Sequence, residues 1–356
     1  MILRSAHVCG GFRRDFVKAC LGGVALTLSS RGASAQEQNW AAFKRKFVRP
    51  DGRVVDTGNN DVSHSEGQGW GMLFAESNGD KDTFQKLWDW TSSSLQRGDR
   101  LFSWRWSPKA AEPVADKNNA ADGDILIAWA LMRAAKRWEQ SRWAEQSRMV
   151  QGAVLEQLAI EIQGRMILQP GAQGFVRKER WIVNLSYYIW PAIRDFAEAV
   201  GGEGRWRRLE ADGLWLLDNS SFGTYRLPPD WLSVGNQELK IADGWPPYFG
   251  FDAVRIPLYL AWRNDAGRLG RFLSVWQMPK FGGRPPAWIN LRDGSVAPFA
   301  SPDGYISILA VTQFVADGMK GSPPASALID ADDYYSASLK LLSEMAGREA
   351  HFAKRR

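Results

Sequence analysis

The sequence predicts an all-α fold, one helical domain with an inner and an outer layer, and three observations predict it. Apolar residues recur at helical spacing in segment after segment. Strand-like alternation is sparse. The helical segments fall into two exposure classes, some apolar on most sides and some carrying a narrow stripe. No linker, low-complexity run or exact repeat divides the chain beyond its first 35 residues.

Residues 1–35 read as an export signal rather than as fold. Arg13-Arg14-Asp15-Phe16-Val17-Lys18 is a twin-arginine pair with a hydrophobic residue and a lysine behind it. A weakly apolar run, 19–28, and the small-x-small site Ala33-Ser34-Ala35 follow. The run is too short to span a bilayer, so the pattern is one of processing. The expectation is twin-arginine (Tat) export, cleavage, and a protein at 36–356 that is periplasmic or secreted and free of the membrane.

Helical spacing then marks roughly 66–78, 82–97, 124–140, 144–163, 190–200, 203–218, 252–264, 302–319 and 331–347. In 124–140, Ile125, Leu126, Ala128, Trp129, Met132 and Trp138 spread widely enough for a helix buried on most sides. In 331–347, Tyr335, Leu339, Leu342 and Met345 form a narrower stripe with charges between, as an outer helix would. The best strand signal is 165–183, where two alternating runs flank Pro170-Gly171-Ala172-Gln173-Gly174, a small β-hairpin.

Composition narrows the function. Of 45 Lys+Arg and 39 Asp+Glu, five bases and one acid lie in 1–35, leaving 40 against 38 and a net +2 beyond it. The sequence pI of about 9.3 is thus largely a property of the signal and gives little support for nucleic-acid binding. Both cysteines, Cys9 and Cys20, lie in the signal, so stability rests on a large core and not on disulfides. His64 and His351 are the only histidines beyond it, too few for a His/Cys metal cluster. Tryptophan is abundant, 18 copies, all beyond residue 35. Flat aromatic faces suit a sugar, although many of these rings must be core.

Three acidic sites lie where loops enter helices. In Ser63-His64-Ser65-Glu66-Gly67-Gln68-Gly69-Trp70-Gly71-Met72, Glu in the first turn is ordinary capping, but three glycines each cost up to about 1 kcal/mol in a helix. The backbone there must pass close to something, a sugar ring or another helix. In Asn118-Asn119-Ala120-Ala121-Asp122-Gly123-Asp124, one aspartate would be explained as a cap, while two at i and i+2 point differently and leave one for another task. In Trp245-Pro246-Pro247-Tyr248-Phe249-Gly250-Phe251-Asp252-Ala253-Val254-Arg255, Asp252 and Arg255 stand at i and i+3, which is also how a surface pair is spaced. The aromatic, proline-rich approach argues that Asp252 is partly enclosed. Hydrolysis of a glycosidic bond needs one protonated and one ionised carboxyl. Glu66 as acid and Asp252 as base fit, if enclosure raises the first and Arg255 keeps the second ionised.

These motifs resemble glycoside hydrolase family 8, and within it the periplasmic endoglucanases associated with bacterial cellulose synthesis. The similarity runs in order along the chain. Residues 65–72 are similar to the family's acid motif; Ala121-Asp122-Gly123-Asp124 with Ile127-Ala128-Trp129-Ala130-Leu131 and Trp138 to its signature; and 251–255 to the segment supplying the base. Residues 181–187, with Trp181 and Tyr187, resemble the lining of the cleavage subsite, and Leu101-Phe102-Ser103-Trp104 the stretch offering a stacking tryptophan. Three positions depart from the pattern. Ala121 replaces a usual Ser or Thr, Leu185 a common proline, and Phe251 a frequent tyrosine, which removes a hydroxyl near the base.

The resemblance implies an (α/α)6 barrel of six inner and six outer helices, and an inverting endo-hydrolysis of β-1,4-glucan without metal or cofactor. Glu66 would protonate the glycosidic oxygen, Asp252 would deprotonate water, and Asp122 would bind and distort the sugar at the cleavage point. Trp104, Asp124, Trp181, Tyr187, Phe251 and Arg255 would complete the substrate contacts, with Asp124 also the expected helix cap. The implied partners are a β-glucan oligosaccharide or polysaccharide and a cellulose synthase complex. A chitosanase, xylanase or mixed-linkage glucanase of the same fold, or a non-catalytic glucan-binding protein, are the competing readings.

Overall fold

The computed structural model describes residues 34–177, 179–199, 204–235 and 238–354. The twin-arginine motif and apolar run of the expected signal lie outside the described residues. Eleven α-helices order the described chain: α1 (Ala35–Phe47), α2 (Ser65–Ser77), α3 (Lys81–Ser94), α4 (Ala121–Trp138), α5 (Ser141–Gln157), α6 (Trp190–Glu198), α7 (Gly204–Asn219), α8 (Arg255–Trp262), α9 (Gly270–Trp276), α10 (Gly304–Ala316) and α11 (Tyr334–Lys354). None of these is long and apolar enough to cross a membrane.

Two exposure classes are present. Helices α2, α4 and α8 are buried round nearly their whole circumference: every residue of α8, 121–131 of α4 and 67–76 of α2. Helices α3, α5 and α7 bury single stripes, such as Phe84, Leu87, Trp88 and Thr91 in α3, and so form an outer layer. Helix α1 carries no expectation from the sequence. Ser34 and Glu37 close a capping box at its start, and Trp40, Phe43 and Phe47 anchor it.

Helix α11 corrects the outer-helix expectation. It is buried from Ser336 through Gly347. Its polar residues do not need water. Lys340 meets both oxygens of Asp332 at 2.7 and 2.8 Å, Glu344 accepts from Asn39 at 2.9 Å, and Ser338 donates back to the Tyr334 carbonyl.

The strands also differ from expectation. The segment predicted as the tail of a helix to 163 is β3 (Ala159–Ile162), after the pair β1 (Ser63–His64) and β2 (Arg105–Trp106). It forms a hairpin with β4 (Arg165–Leu168). The two residues between them, Gln163 and Gly164, both have positive φ (52° and 79°), which suits a tight two-residue turn. The predicted hairpin across 170–174 is therefore not formed. That loop bonds to the start of α4 instead, through Ala121 N–H to the Pro170 carbonyl and Ala172 N–H to Asn119 Oδ1, both 2.8 Å. The second run pairs elsewhere, in a four-stranded antiparallel sheet of β5 (Val176–Arg177), β6 (Arg180–Val183), β7 (Leu232–Gly235) and β8 (Glu238–Ile241).

An ionic network ties the inner helices about 15 Å along α2 from Glu66, ten residues at 1.5 Å each. Arg133 of α4 donates to Glu76 of α2 at 2.8 Å and forks onto both oxygens of Glu349 of α11 at 2.7 and 2.9 Å. Trp262 of α8 also donates to Glu349.

Candidate active site

The glycines of α2 and α4 set the geometry. A Cβ at Gly67 would lie 2.1 Å from Tyr334 Oη, at Gly69 2.6 Å from Leu126 Cβ, and at Gly71 2.8 Å from Val54 Cγ2. Of the two explanations open at the sequence level, tight helix packing is the one observed. On α4, a Cβ at Gly123 would meet Ser65 Oγ at 2.1 Å and the Glu66 nitrogen at 2.9 Å. The close crossing brings the first turns of both helices to one cleft.

That cleft, of about 330 Å³, is lined by Glu66, Asp122, Asp252 and Arg255, with walls that include Trp70, Trp104, Tyr187, Phe251, Tyr334 and Tyr335. Asp252 lies in a turn immediately before α8, and Arg255 is the first residue of that helix. Arg255 Nη2 donates to Asp252 Oδ1 at 2.9 Å and to Ser186 Oγ at 3.0 Å, while its Nη1 pairs with Glu66 Oε1. The guanidinium is 5% exposed, so this is a desolvated, shared pair. Arg255 therefore joins the two carboxylates and is not the partner of Asp252 alone.

Burial dominates the electrostatics. It pushes the Asp122 carboxyl up to about 7, against a partial pull from the Gly123 N–H, which donates to its Oδ1 at 2.8 Å. Burial also holds Asp252 well above the usual carboxylate range, helped by the neighbouring charges of Asp230 and Asp122. The side chains of Asn184 and Trp231 draw it partly back. Tyr187 is raised by burial and by Asp122 and Asp252, so its hydroxyl stays protonated.

Most of the residues read from the sequence meet here, and two do not. Asp124 is fully buried behind the cleft, raised to about 8 by burial. Its oxygens accept from Phe102 N–H at 2.8 Å and Asn119 Nδ2 at 2.7 Å, so it pins the 101–104 loop and neither lines the cleft nor caps α4. Trp181 sits in β6 opposite Val176 and Val234, outside the cleft lining. Trp104 does line it, with His64 stacked on the ring (5.9 Å, 17°) and Asp116 accepting from its indole N–H at 2.8 Å. Phe251 is 45% exposed at the cleft, and beside it the Tyr335 hydroxyl donates to the Phe251 carbonyl at 2.5 Å.

Several lining residues carried no expectation: Asp56, His64, Trp70 and Tyr334 in the wall, and Asp230 and Trp231 behind Asp252. Tyr335 was visible only as part of an apolar stripe, and Asp230 in Pro228-Pro229-Asp230 looks like a turn residue.

Layered helices around a cleft of carboxyls and aromatic rings define a glycoside hydrolase. The model of glycosyl hydrolases family 8 matches residues 15–349, and the chain belongs to that family. It is 43% identical over 345 residues to a probable endoglucanase of Novacetimonas hansenii, covering 94% of this chain and 98% of that one. It is 41% identical over 275 residues to an endoglucanase of Cellulomonas uda, covering 77% and 76%. Among solved structures it is similar to the endo-β-1,4-glucanase CMCax of Acetobacter xylinum, with TM-score 0.82, 42% identity, and 89% and 98% of the two chains covered. A Klebsiella pneumoniae family 8 endoglucanase gives TM-score 0.81 at 41% identity, covering 87% and 99%. The fold is the (α/α)6 barrel.

Proposed function

We propose that the chain is an exported endo-β-1,4-glucanase that cleaves cellulose or soluble glucan with inversion. The observation that carries this is the convergence of Glu66, Asp122 and Asp252 in one aromatic-walled cleft, with Arg255 shared between the first and the last. In the proposed reaction Glu66 gives its proton to the glycosidic oxygen and Asp252 takes one from the attacking water. Asp122, its carboxyl raised by burial, hydrogen-bonds a sugar hydroxyl and holds the ring at the cleavage point. The endoglucanase names of relatives at 41–43% identity support the substrate.

Release of reducing ends from carboxymethylcellulose, xylan and chitosan, assayed side by side, tests the substrate. Turnover of the cellulose derivative is expected, and its absence overturns the reading. Asp56 is an additional cleft carboxyl that a chitosan ammonium could meet, but burial disfavours its charged form and makes it a poor counter-ion. Proton NMR of the first-formed anomer tests inversion.

Twin-arginine export to the periplasm or medium belongs to the same proposal and rests on Arg13-Arg14 and the cleavage site after them. Replacing both arginines by lysine should leave uncleaved protein in the cytoplasm; unchanged export would exclude that route. A role in cellulose biosynthesis, beside a synthase complex, is supported by the resemblance alone. Its test is loss of normal cellulose output on deletion and recovery with the intact gene but not with Glu66→Gln.

A further inference from the structure

We propose that Asp230 is a positioning residue for Asp252: it clamps the turn that carries the base and places a second negative charge behind it. The inference rests on the reading of Asp252 as base. Asp230 Oδ1 accepts from the Gly250 N–H at 2.9 Å and the Ala253 N–H at 2.7 Å, two donors that bracket Asp252 in sequence. The Asp252 N–H also favours the charged form of the same carboxylate. The turn sits hard against it, since a Cβ at Gly250 would lie 2.9 Å from Asp230 Oδ2 and 3.1 Å from Trp288 Cβ.

The clamp is itself anchored. Asp230 N–H donates to the Tyr248 carbonyl at 2.7 Å, and the next residue's carbonyl accepts from Ala242 N–H at 3.0 Å. That next residue is Trp231, whose side chain acts directly on Asp252. Adjacent residues thus serve the base by two routes, one through its backbone and one through its carboxyl.

Among the described residues no cation is paired with Asp230, and its charge is felt by Asp252. The titratable and charged groups around Asp252 are Asp230, Asp122, Arg255, Tyr187, Tyr305 and Tyr335, with Glu66 across the shared guanidinium. Asp230 and Asp122 disfavour its ionised form, the tyrosines being neutral at neutral pH.

The two parts of the proposal are separable by substitution. Asp230→Asn keeps an oxygen for the two N–H donors and removes the charge. The acid limb of the kcat/KM profile on a soluble cello-oligosaccharide should then move to lower pH by about 1 unit, as like-charge repulsion is relieved. Asp230→Ala removes the clamp, and kcat should fall about tenfold or more with KM changed less than about twofold. An acid limb that stays within about 0.3 unit in Asp230→Asn overturns the proposal, and so does a kcat within about twofold in a folded Asp230→Ala. If Asp230→Ala fails to fold, the limb of Asp230→Asn decides. Asp252→Asn distinguishes the two readings. Activity retained there means that Asp252 is not the base; activity lost there, with unaffected Asp230 variants, removes only the clamp.

Discussion

Gly123 of α4 and Ser65 of α2 touch so closely that a single added carbon at residue 123 would lie 2.1 Å from the serine hydroxyl. Ser65 immediately precedes Glu66, so the contact sets where the acid begins its helix. Gly123→Ala is expected to cost about 1–3 kcal/mol of stability through overpacking. It should also lower kcat at temperatures where the variant is fully folded. Adding Ser65→Gly should recover part of both losses, and a double-mutant cycle with no coupling would show that the contact does not control the site.

Glu66→Gln removes the proton of the proposed acid while keeping an acceptor for Arg255. Hydrolysis of carboxymethylcellulose should fall about 10²–10⁴-fold. A loss of less than tenfold would take the acid role away from Glu66.

Acid-side behaviour follows from burial. Asp122 and Asp124 are lifted to about 7 and about 8, against about 3.9 in an unfolded chain. Between those values the folded protein holds protons that the unfolded chain has released. Their contribution to stability is therefore complete below about pH 4 and is lost as pH rises through about 7 to 8. Tm should decline from pH 5 to 8.5, and Asp124→Asn should flatten that decline. A slope unaffected by the substitution would locate the effect elsewhere. The acid limb of activity should likewise stand above the ordinary carboxylate value, because Asp252 is raised in the same direction.

Arg133→Met leaves Glu76 and Glu349 without their shared fork, at a distance from the cleft. These pairs are part-buried, and Arg137 and Trp262 still serve Glu76 and Glu349, so the cost should fall below that of a fully buried pair, about 3–5 kcal/mol. A clear fall in Tm is expected with kcat at low temperature little changed. If kcat falls as much as stability, the network is coupled to the site.

The helices were readable because burial leaves a periodic trace: the wide apolar spread of 124–140 and the stripes of the outer helices are direct consequences of what each face touches. Helix α11 was misread because Lys340 and Glu344 look like solvent-facing charges until Asp332 and Asn39 are seen to meet them. The hairpin was misplaced because Pro170-Gly171 is the louder turn signal, whereas Gln163-Gly164 makes the tighter turn. In the site, most residues announced by motif line the cleft, Trp181 and Asp124 excepted, and those defined only by contact were not legible. Asp230 acts on backbone N–H groups twenty or more residues away, and no local pattern records that. Asp124 shows the converse, a carboxylate in the right motif whose oxygens are fully engaged by Phe102 and Asn119.

The cleft draws its groups from Asp56 to Tyr335, and Arg255 bonds to a partner 189 residues earlier in the chain. No contiguous stretch holds even the acid and the base together. Asp252 meets Arg255 within a single turn, whereas Glu66 reaches the same guanidinium only when the long loop between residues 66 and 255 has closed. The shared guanidinium thus works as a clasp, and its engagement marks completion of the ring.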